Sequence, residues 1–447
     1  MRFVRGAEEA RRVLLRRHLP GEAQLPPMVW ARTREVVGDV SSVEEAVRRI
    51  LRDVREEGDS AVLRYSEAFD GVKYPSLVVS NEEVREAYHL VQPEVLDALR
   101  LAAQRVRAFH EAQRKHVLRS FREGGLGVQV RALHRVGVYV PGTTAVYPSS
   151  VLMTVIPAKV AGVEEVVLTS PVSPDGGVSP LKLVAADLAG VDRVFRASGA
   201  QAVAAMAYGT ESVPRVDKVC GPGNVFVTLA KREVFGAVGI DALYGPSETL
   251  VVADDSANAA LCAADLLAGA EHDELAIPIL ITTSARLAEQ VSQEIEGQLE
   301  CLERREVARA SLEAQGGAVV VASVEEAIDL ANEFAPEHLC LHLSEAERWL
   351  EKVRDAGGVF VGEVSAETLG DYMAGPSHVM PTGGTARFSS PLGVQDFLKS
   401  TSVVAVGRRA LGALGPPTAA IARAEGLTGH ARAIELRLGK QGVSEGE

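Results

Sequence analysis

Between residues 40 and 118, apolar side chains return at intervals of three and four. In "SSVEEAVRRILRDVREEGDSAVLRYSEAFDG" the stripe runs through Val43 to Ala46, Ile50 and Val54, as a helix with one buried face requires. "NEEVREAYHLVQPEVLDALRLAAQRVRAFHEAQRK" keeps the same period. From about 135 the pattern changes to short β-branched runs separated by helical stretches. "RVGVYV", "EVVLTS", "DRVFRAS" and "DKVC" read as strands, with "PSSVLMTVIPAKVAG", "LKLVAADLAG", "QAVAAMAYG" and "NVFVTLAKREVF" as the helices between and after them. Four β-α repeats of this kind predict a parallel sheet. A second set, "TLVVAD", "IPILITTS", "GAVVVAS", "LCLHLS" and "GGVFVG", predicts a second α/β sheet. Beyond about 382 the chain is punctuated by Gly and Pro and ends in a polar tail. The division expected is a helical region over 1–134 packing on the second α/β domain, α/β domains over 135–238 and 239–381, and a small carboxy-terminal domain over 382–447.

Composition narrows the function classes. A length of 447 residues suggests two to four domains, and 47% hydrophobic with 24% charged residues is an ordinary globular balance. The net charge of −13 argues against a nucleic-acid surface, which wants clustered Lys and Arg. No run reaches 18 uninterrupted apolar residues, so no membrane span is expected. The opening "MRFVRGAEEARRVLLRRHLPGE" is basic and amphipathic but lacks the apolar core of a secretory signal. Cys220, Cys262, Cys301 and Cys340 are too widely spaced for a zinc knuckle or compact disulfide framework; buried, reduced thiols in a cytoplasmic protein are expected.

Candidate chemistry gathers at strand ends and irregular loops. Open parallel sheets bind ligands beyond the carboxyl ends of their strands. In the first set those ends read "YVPGTT", "ASGAQA" and "CGPGNV", rich in Gly, with Tyr139, Gln201 and Asn224 as the polar groups on offer. Each loop alone reads equally well as a plain turn. A G-x-G-x-x-G fingerprint and a P-loop are both absent, so a dinucleotide would bind without the usual pyrophosphate cradle. In the second set "FAPEHLCL" places Glu337 and His338, an acid and a base, between a helical run that stops at Pro336 and an alternating strand. His272 ends the helical stretch "ADLLAGAEHDE"; Asp371 and His378 lie in "LGDYMAGPSHVMPTGGTARFSS"; Glu425 and His430 lie in "AEGLTGHARA". Taken singly, these groups read as readily as solvated or structural residues.

Together the segments carry a resemblance. "GVYVPGTTAVYPSSVLM", "SGAQAVAAMAYGT", "DKVCGPGNVFVTLAKREV", "YGPSETLVVAD", "FAPEHL" and "GDYMAGPSHVMPTGGTARFSS", with "VREEGDSAVLRYSEAFD" before them, resemble histidinol dehydrogenase in order from about residue 40 to 435. The resemblance implies two incomplete Rossmann-like parallel-sheet domains in an intertwined homodimer. It also implies an enzyme that takes L-histidinol to L-histidine in two oxidations, with two NAD and one zinc ion per subunit, in the last steps of histidine biosynthesis. Carried over by position, Tyr139, Gln201 and Asn224 match NAD contacts, and Glu337 and His338 match the acid–base pair. Ser247, His272, His338, Asp371, Glu425 and His430 match substrate contacts, and His272, Asp371 and His430 match zinc ligands. Glu425 and His430 would act across the dimer. The family reads Gln-Ala-Glu-His where this chain reads Gly269-Ala270-Glu271-His272, so a fourth protein zinc ligand is missing. Thr143 and Ser377 also depart from the family's Gly and Asn. A related zinc alcohol dehydrogenase acting on another polar alcohol, or a metal-deficient non-catalytic homologue, are the alternatives these departures leave.

Overall fold

A computed structural model of the chain describes residues 1–17, 25–142 and 145–439. Thr143 therefore lies outside the described residues. The chain divides into two compact units, one of 1–116 with 133–397 and the other of 117–132 with 398–447.

The first unit holds two fully parallel sheets. One has five strands, in the order Arg193–Arg196, Glu165–Ser170, Arg135–Tyr139, Lys218–Cys220, Gly239–Ile240. Its direction of growth reverses between Arg135–Tyr139 and Lys218–Cys220, which lie side by side although 78 residues and two other strands separate them in the chain. The other has six strands, in the order Arg2–Arg5, Gly317–Val320, Ile277–Thr282, Glu248–Ala253, His338–His342, Gly358–Val361. It reverses between Glu248–Ala253 and His338–His342. The α/β class and the two parallel sheets are those expected from the alternating runs. The short edge strand Gly239–Ile240 and the strand Arg2–Arg5 were not foreseen: the first has only two residues, and the second lies in a stretch whose charge hides its pairing with Gly317–Val320.

The amino-terminal helices obey simple local rules. Val43–Glu57 starts at Ser42, whose hydroxyl accepts from the Glu45 N–H, and stops at Gly58, whose φ of +60° suits glycine. It buries Ala46, Val47, Ile50, Leu51 and Val54, the three- and four-residue stripe of the sequence. That stripe packs with helix Asp59–Asp70 against helices Gly199–Tyr208 and Val225–Val234, in one core with Val167, Phe195 and Val219 of the first sheet. The expectation that the amino-terminal region packs on the second α/β domain is thus corrected. Among the described residues, Val4, Ala10 and Leu14 join the core of the second sheet and Arg17 bonds Glu248 at its edge. An amphipathic stripe states that a partner face exists and says nothing of which face it is.

In the second sheet, alternation sorts side chains onto two faces. Leu339 and Leu341 share a core with Leu250, Val252, Ile279 and Ile281. Cys340 joins Val251, Ala253 and Leu280 beneath helix Ala259–Ala270, and His338 and His342 flank it at the same period. His338 pairs in register with Thr249 on one side and Gly358 on the other. The helix comes close to strand Glu248–Ala253 at Gly269: a Cβ there would stand 2.1 Å from Thr249 Oγ1 and 2.8 Å from its Cβ.

The second unit pairs Leu398–Val404 antiparallel with Leu126–Ala132, which in turn pairs with Phe121–Glu123. Helices Arg408–Ala424 and Thr428–Gly439 pack on each other through Ala419, Ala422 and Ala431. Among the described residues no helix is long and apolar enough to cross a membrane. All four cysteines are free; three are buried as expected, but Cys301 is exposed, being just past the end of helix Ala285–Leu299.

Gly269→Ala is expected to destabilise the chain by about 1–3 kcal/mol through overpacking, despite the ~1 kcal/mol helix-propensity advantage of Ala. Adding Thr249→Ala should recover part of that loss, as read from urea midpoints. An alanine variant as stable as its parent would refute the tight approach.

Candidate functional site

The helix Val324–Phe334 ends on Ala335, which takes a left-handed φ of +49° just before Pro336. Proline cannot extend a helix, and the residue before it avoids helical backbone. The chain turns there and delivers Glu337 and His338 to the amino end of strand His338–His342. Glu248 opens the neighbouring strand, and its backbone N–H donates to Glu337 Oε2 at 3.1 Å. Its own carboxylate is buried and takes two hydrogen bonds from Arg17, at 2.8 and 2.9 Å. The cluster therefore lies at the amino ends of the strands, opposite the side where open parallel sheets usually bind ligands.

His338 is 5% exposed, and carboxylates surround its ring. Nδ1 lies 3.5 Å from Glu367 Oε1 and 3.7 Å from Glu337 Oε2, while Nε2 lies 3.7 Å from Asp371 Oδ1. Among the described residues neither ring nitrogen has a hydrogen-bond partner. Burial alone would lower the His338 pKa, but Glu367, Glu337 and Asp371 raise it well above the ordinary imidazole range. Burial likewise pushes the Glu337 carboxyl up to about 8, although His338 pulls the other way. Glu367 is pushed up to about 7 for the same reason. Asp371 goes in the other direction: burial would raise it, yet the rings of His338, His378 and His272 hold it below the usual carboxylate range.

His272 follows helix Ala259–Ala270 and is partly buried, which lowers its pKa, while the Asp371 charge acts on it in the opposite sense. His378 ties down the end of the short helix, Glu367–Tyr372, that carries Asp371. Its Nδ1 donates to the Asp371 carbonyl at 2.8 Å, because a carbonyl can only accept, and Nε2 is left to accept from the Ser150 hydroxyl at 3.0 Å. The residues brought together at this site are thus His272, Glu337, His338, Asp371 and His378. Ser247 is partly buried and sits one residue before strand Glu248–Ala253. Glu425 and His430 belong to the second unit, at the end of helix Arg408–Ala424 and within Thr428–Gly439, and both are exposed.

Glu367 escaped the sequence reading. It is the first residue of helix Glu367–Tyr372, four before Asp371, and the spacing that puts both on one helical face was available as a signal. Donor atoms of His338, Glu367 and Asp371 all lie within 4.8 Å of one another.

The strand-end loops of the first sheet also meet. Tyr139 ends its strand, and its hydroxyl accepts from the Gly199 N–H at 3.4 Å. Gly221 lies so close that a Cβ would stand 2.1 Å from the Tyr139 carbonyl oxygen. Gln201 is buried and turns its amide toward Ser198, 3.4 Å away. Asn224 is exposed and caps helix Val225–Val234 by accepting from the N–H groups of Phe226 and Val227. This is the reversal point of the sheet at its carboxyl edge, the conventional ligand position.

Comparison with known proteins identifies the family. A histidinol dehydrogenase of Deinococcus radiodurans is 51% identical over 441 residues, covering 98% of this chain and all of that protein. One from Moorella thermoacetica is 53% identical over 399 residues, covering 88% of this chain and 94% of its own length. The crystal structure of histidinol dehydrogenase from Elizabethkingia anophelis superposes with a TM-score of 0.86 at 32% identity, over 99% of both chains. With the histidinol dehydrogenase family model matching residues 33–438, the chain belongs to the histidinol dehydrogenase family of NAD-dependent oxidoreductases.

Proposed function

We propose that the protein oxidises L-histidinol through bound L-histidinal to L-histidine, with two NAD per turnover, in the cytoplasm. The observation that carries this reading is the Glu337–His338 pair, buried beside Asp371 and His272 in a chain of this family.

The residues fit a divalent metal ion. The two ring nitrogens of His338 are buried with no hydrogen-bond partner among the described residues, Asp371 is held as a carboxylate by the surrounding imidazoles, and the Asp371 charge acts on the His272 ring. Zinc accepts two imidazoles and a carboxylate with positions left open for substrate or water. His272, Asp371 and His430 would hold it, Gly269 offering no donor. When bound, the ion would fix the amino alcohol through its ring and amine nitrogens, with Ser247 and Glu425 completing substrate recognition. Tyr139, Gln201 and Asn224 would contact NAD, which the meeting of their loops at the sheet's reversal point supports.

His338 would take the alcohol proton, and bound NAD would supply the hydride acceptor. Its burial keeps that proton away from bulk water, and the aldehyde stays bound. Glu337, beside it, would accept a proton from water as that water adds to the aldehyde, while His338 returns its proton to the aldehyde oxygen. The second hydride would then go to a second NAD as His338 takes a hydroxyl proton of the hydrate. The pair serves both steps because one backbone bond joins its members at one strand end.

The reading includes a homodimer in which Glu425 and His430 act in trans. Leu414, Ile421 and Leu436 on the second unit's helices, and Leu427 between them, are exposed, which supports a covering partner. Gly269 with Thr249 in its place supports a second reading, a related enzyme for another polar alcohol. A panel of alcohols assayed by NADH absorbance separates the two, since histidinol turning over poorly beside a brisk competitor removes the first.

Histidinol should give two NADH per molecule. His338→Ala should slow both oxidations by about 10²–10⁴-fold, and Glu337→Gln should slow chiefly the oxidation of added histidinal, by a similar factor. Histidinal oxidised at the parent rate by Glu337→Gln would rule out its water-activating role. Removing metal with a chelator should abolish turnover and zinc should restore it, with bound metal measured directly alongside. Co-expressing His338→Ala with His430→Ala should regain activity, because a mixed dimer contains one intact trans site; no regain would place His430 in cis.

A further inference from the structure

We infer that Glu367 is the positioning residue for His338, and that Thr249 locks it there by using the space Gly269 leaves empty. This deepens the reading above and rests on it for the chemistry that His338 performs.

Two carboxylates face His338 Nδ1, and they differ in how they are held. Glu337 is the nearest chain neighbour, 3.7 Å away, and its Oε2 already accepts from the Glu248 N–H. Glu367 is closer, at 3.5 Å, and is 1% exposed. Its Oε1, the same atom that faces the ring, accepts the Thr249 hydroxyl at 3.1 Å. Thr249 is itself fixed, because it lies in a central strand and pairs in register with His338. Helix Glu367–Tyr372 and strand Glu248–Ala253 therefore hold one oxygen in front of one ring nitrogen.

An imidazole has two nitrogens, and a base is useful only when the proper one carries the lone pair. A buried carboxylate opposite Nδ1 favours a proton there; Asp371 faces Nε2 from 3.7 Å, and with that carboxylate given to the metal ion of the proposed function, Nε2 is left to accept from substrate. With Glu367 fulfilling this role, Glu337 is released to act on water. The distance of 3.5 Å exceeds a hydrogen bond, as catalytic contacts often do before substrate arrives.

The arrangement is tied to Gly269. A Cβ at that position would stand 2.1 Å from the Thr249 hydroxyl oxygen, so a side chain at 269 and the present Thr249 rotamer exclude each other. Where the family pattern puts a long amide, this chain has a hydroxyl directed at Glu367.

The test uses the full-length chain labelled with ¹⁵N-histidine, with His338→Gln supplying the assignment. We expect Nδ1 of His338 to carry a slowly exchanging proton in the parent and in Glu367→Asp. In Glu367→Gln, whose amide can turn its nitrogen to the ring, that protection should be lost, and likewise in Thr249→Val. Orienting carboxylates on catalytic imidazoles are worth up to about 10⁴ in kcat elsewhere, and at this longer distance Glu367→Gln should cost about 10- to 10³-fold. KM for histidinol should stay within about twofold in these variants, because the interaction acts on the transition state. Thr249→Ser should retain near-parent kcat and Thr249→Val should not. A protected Nδ1 proton and parent kcat in Glu367→Gln would overturn the inference, as would a rise in KM at unchanged kcat. If Glu367→Gln does not fold, Thr249→Val, which removes only a hydroxyl, decides on the same readouts. Should the parent fail to oxidise histidinol, the functional reading falls, while the ¹⁵N spectra still decide the positioning.

Discussion

Around the first residue of one strand, four carboxyl groups and three imidazoles are taken largely out of water. Glu248, Glu337, Glu367 and Asp371 face or adjoin His338, with His272 and His378 close by. Isolated buried charges cost several kcal/mol each, so such a set persists only when its members compensate one another. Here the compensation is uneven. Burial raises Glu337 and Glu367, whereas the imidazoles hold Asp371 ionised. Environments that push titratable groups apart in this way divide acid and base roles among side chains of the same kind.

The fold makes this concentration possible by crowding ends rather than centres. Both parallel sheets reverse their strand order, the first between 135–139 and 218–220 and the second between 248–253 and 338–342. In the first sheet the reversal opens at the carboxyl edge, where Tyr139, Gly199 and Gly221 meet. In the second the titratable groups stand at the amino edge, where Glu248 and His338 begin adjacent strands. Arg17 closes that edge from another part of the chain, bonding Glu248 in bidentate fashion while its guanidinium lies 3.7 Å over the Phe334 ring. Such a planar fork suits a carboxylate that has lost its water.

Gly269 changes meaning between sequence and structure. As sequence it is the position where the family resemblance leads one to expect a ligand. In space it is also the gap that lets helix Ala259–Ala270 approach Thr249, whose hydroxyl then serves Glu367. A side chain at 269 would therefore displace the hydroxyl on the carboxylate side of His338.

Most of the elements, both parallel sheets and the place of Glu337 and His338 at a strand mouth follow from the sequence alone. Alternation and helical period are local consequences of backbone geometry, so "EVVLTS" emerged as strand Glu165–Ser170, and the Pro336 break correctly set Glu337 and His338 at a strand mouth. Tertiary structure alone decided that the amino-terminal helices serve the first sheet, that Arg2–Arg5 extends the second, and that Glu367 reaches His338. The physical reason is that a stripe or a charge specifies the kind of surroundings it needs without naming the residues that supply them. Those residues lie 29 positions away for Glu367 and His338, and 231 for Arg17 and Glu248, separations bridged only by packing.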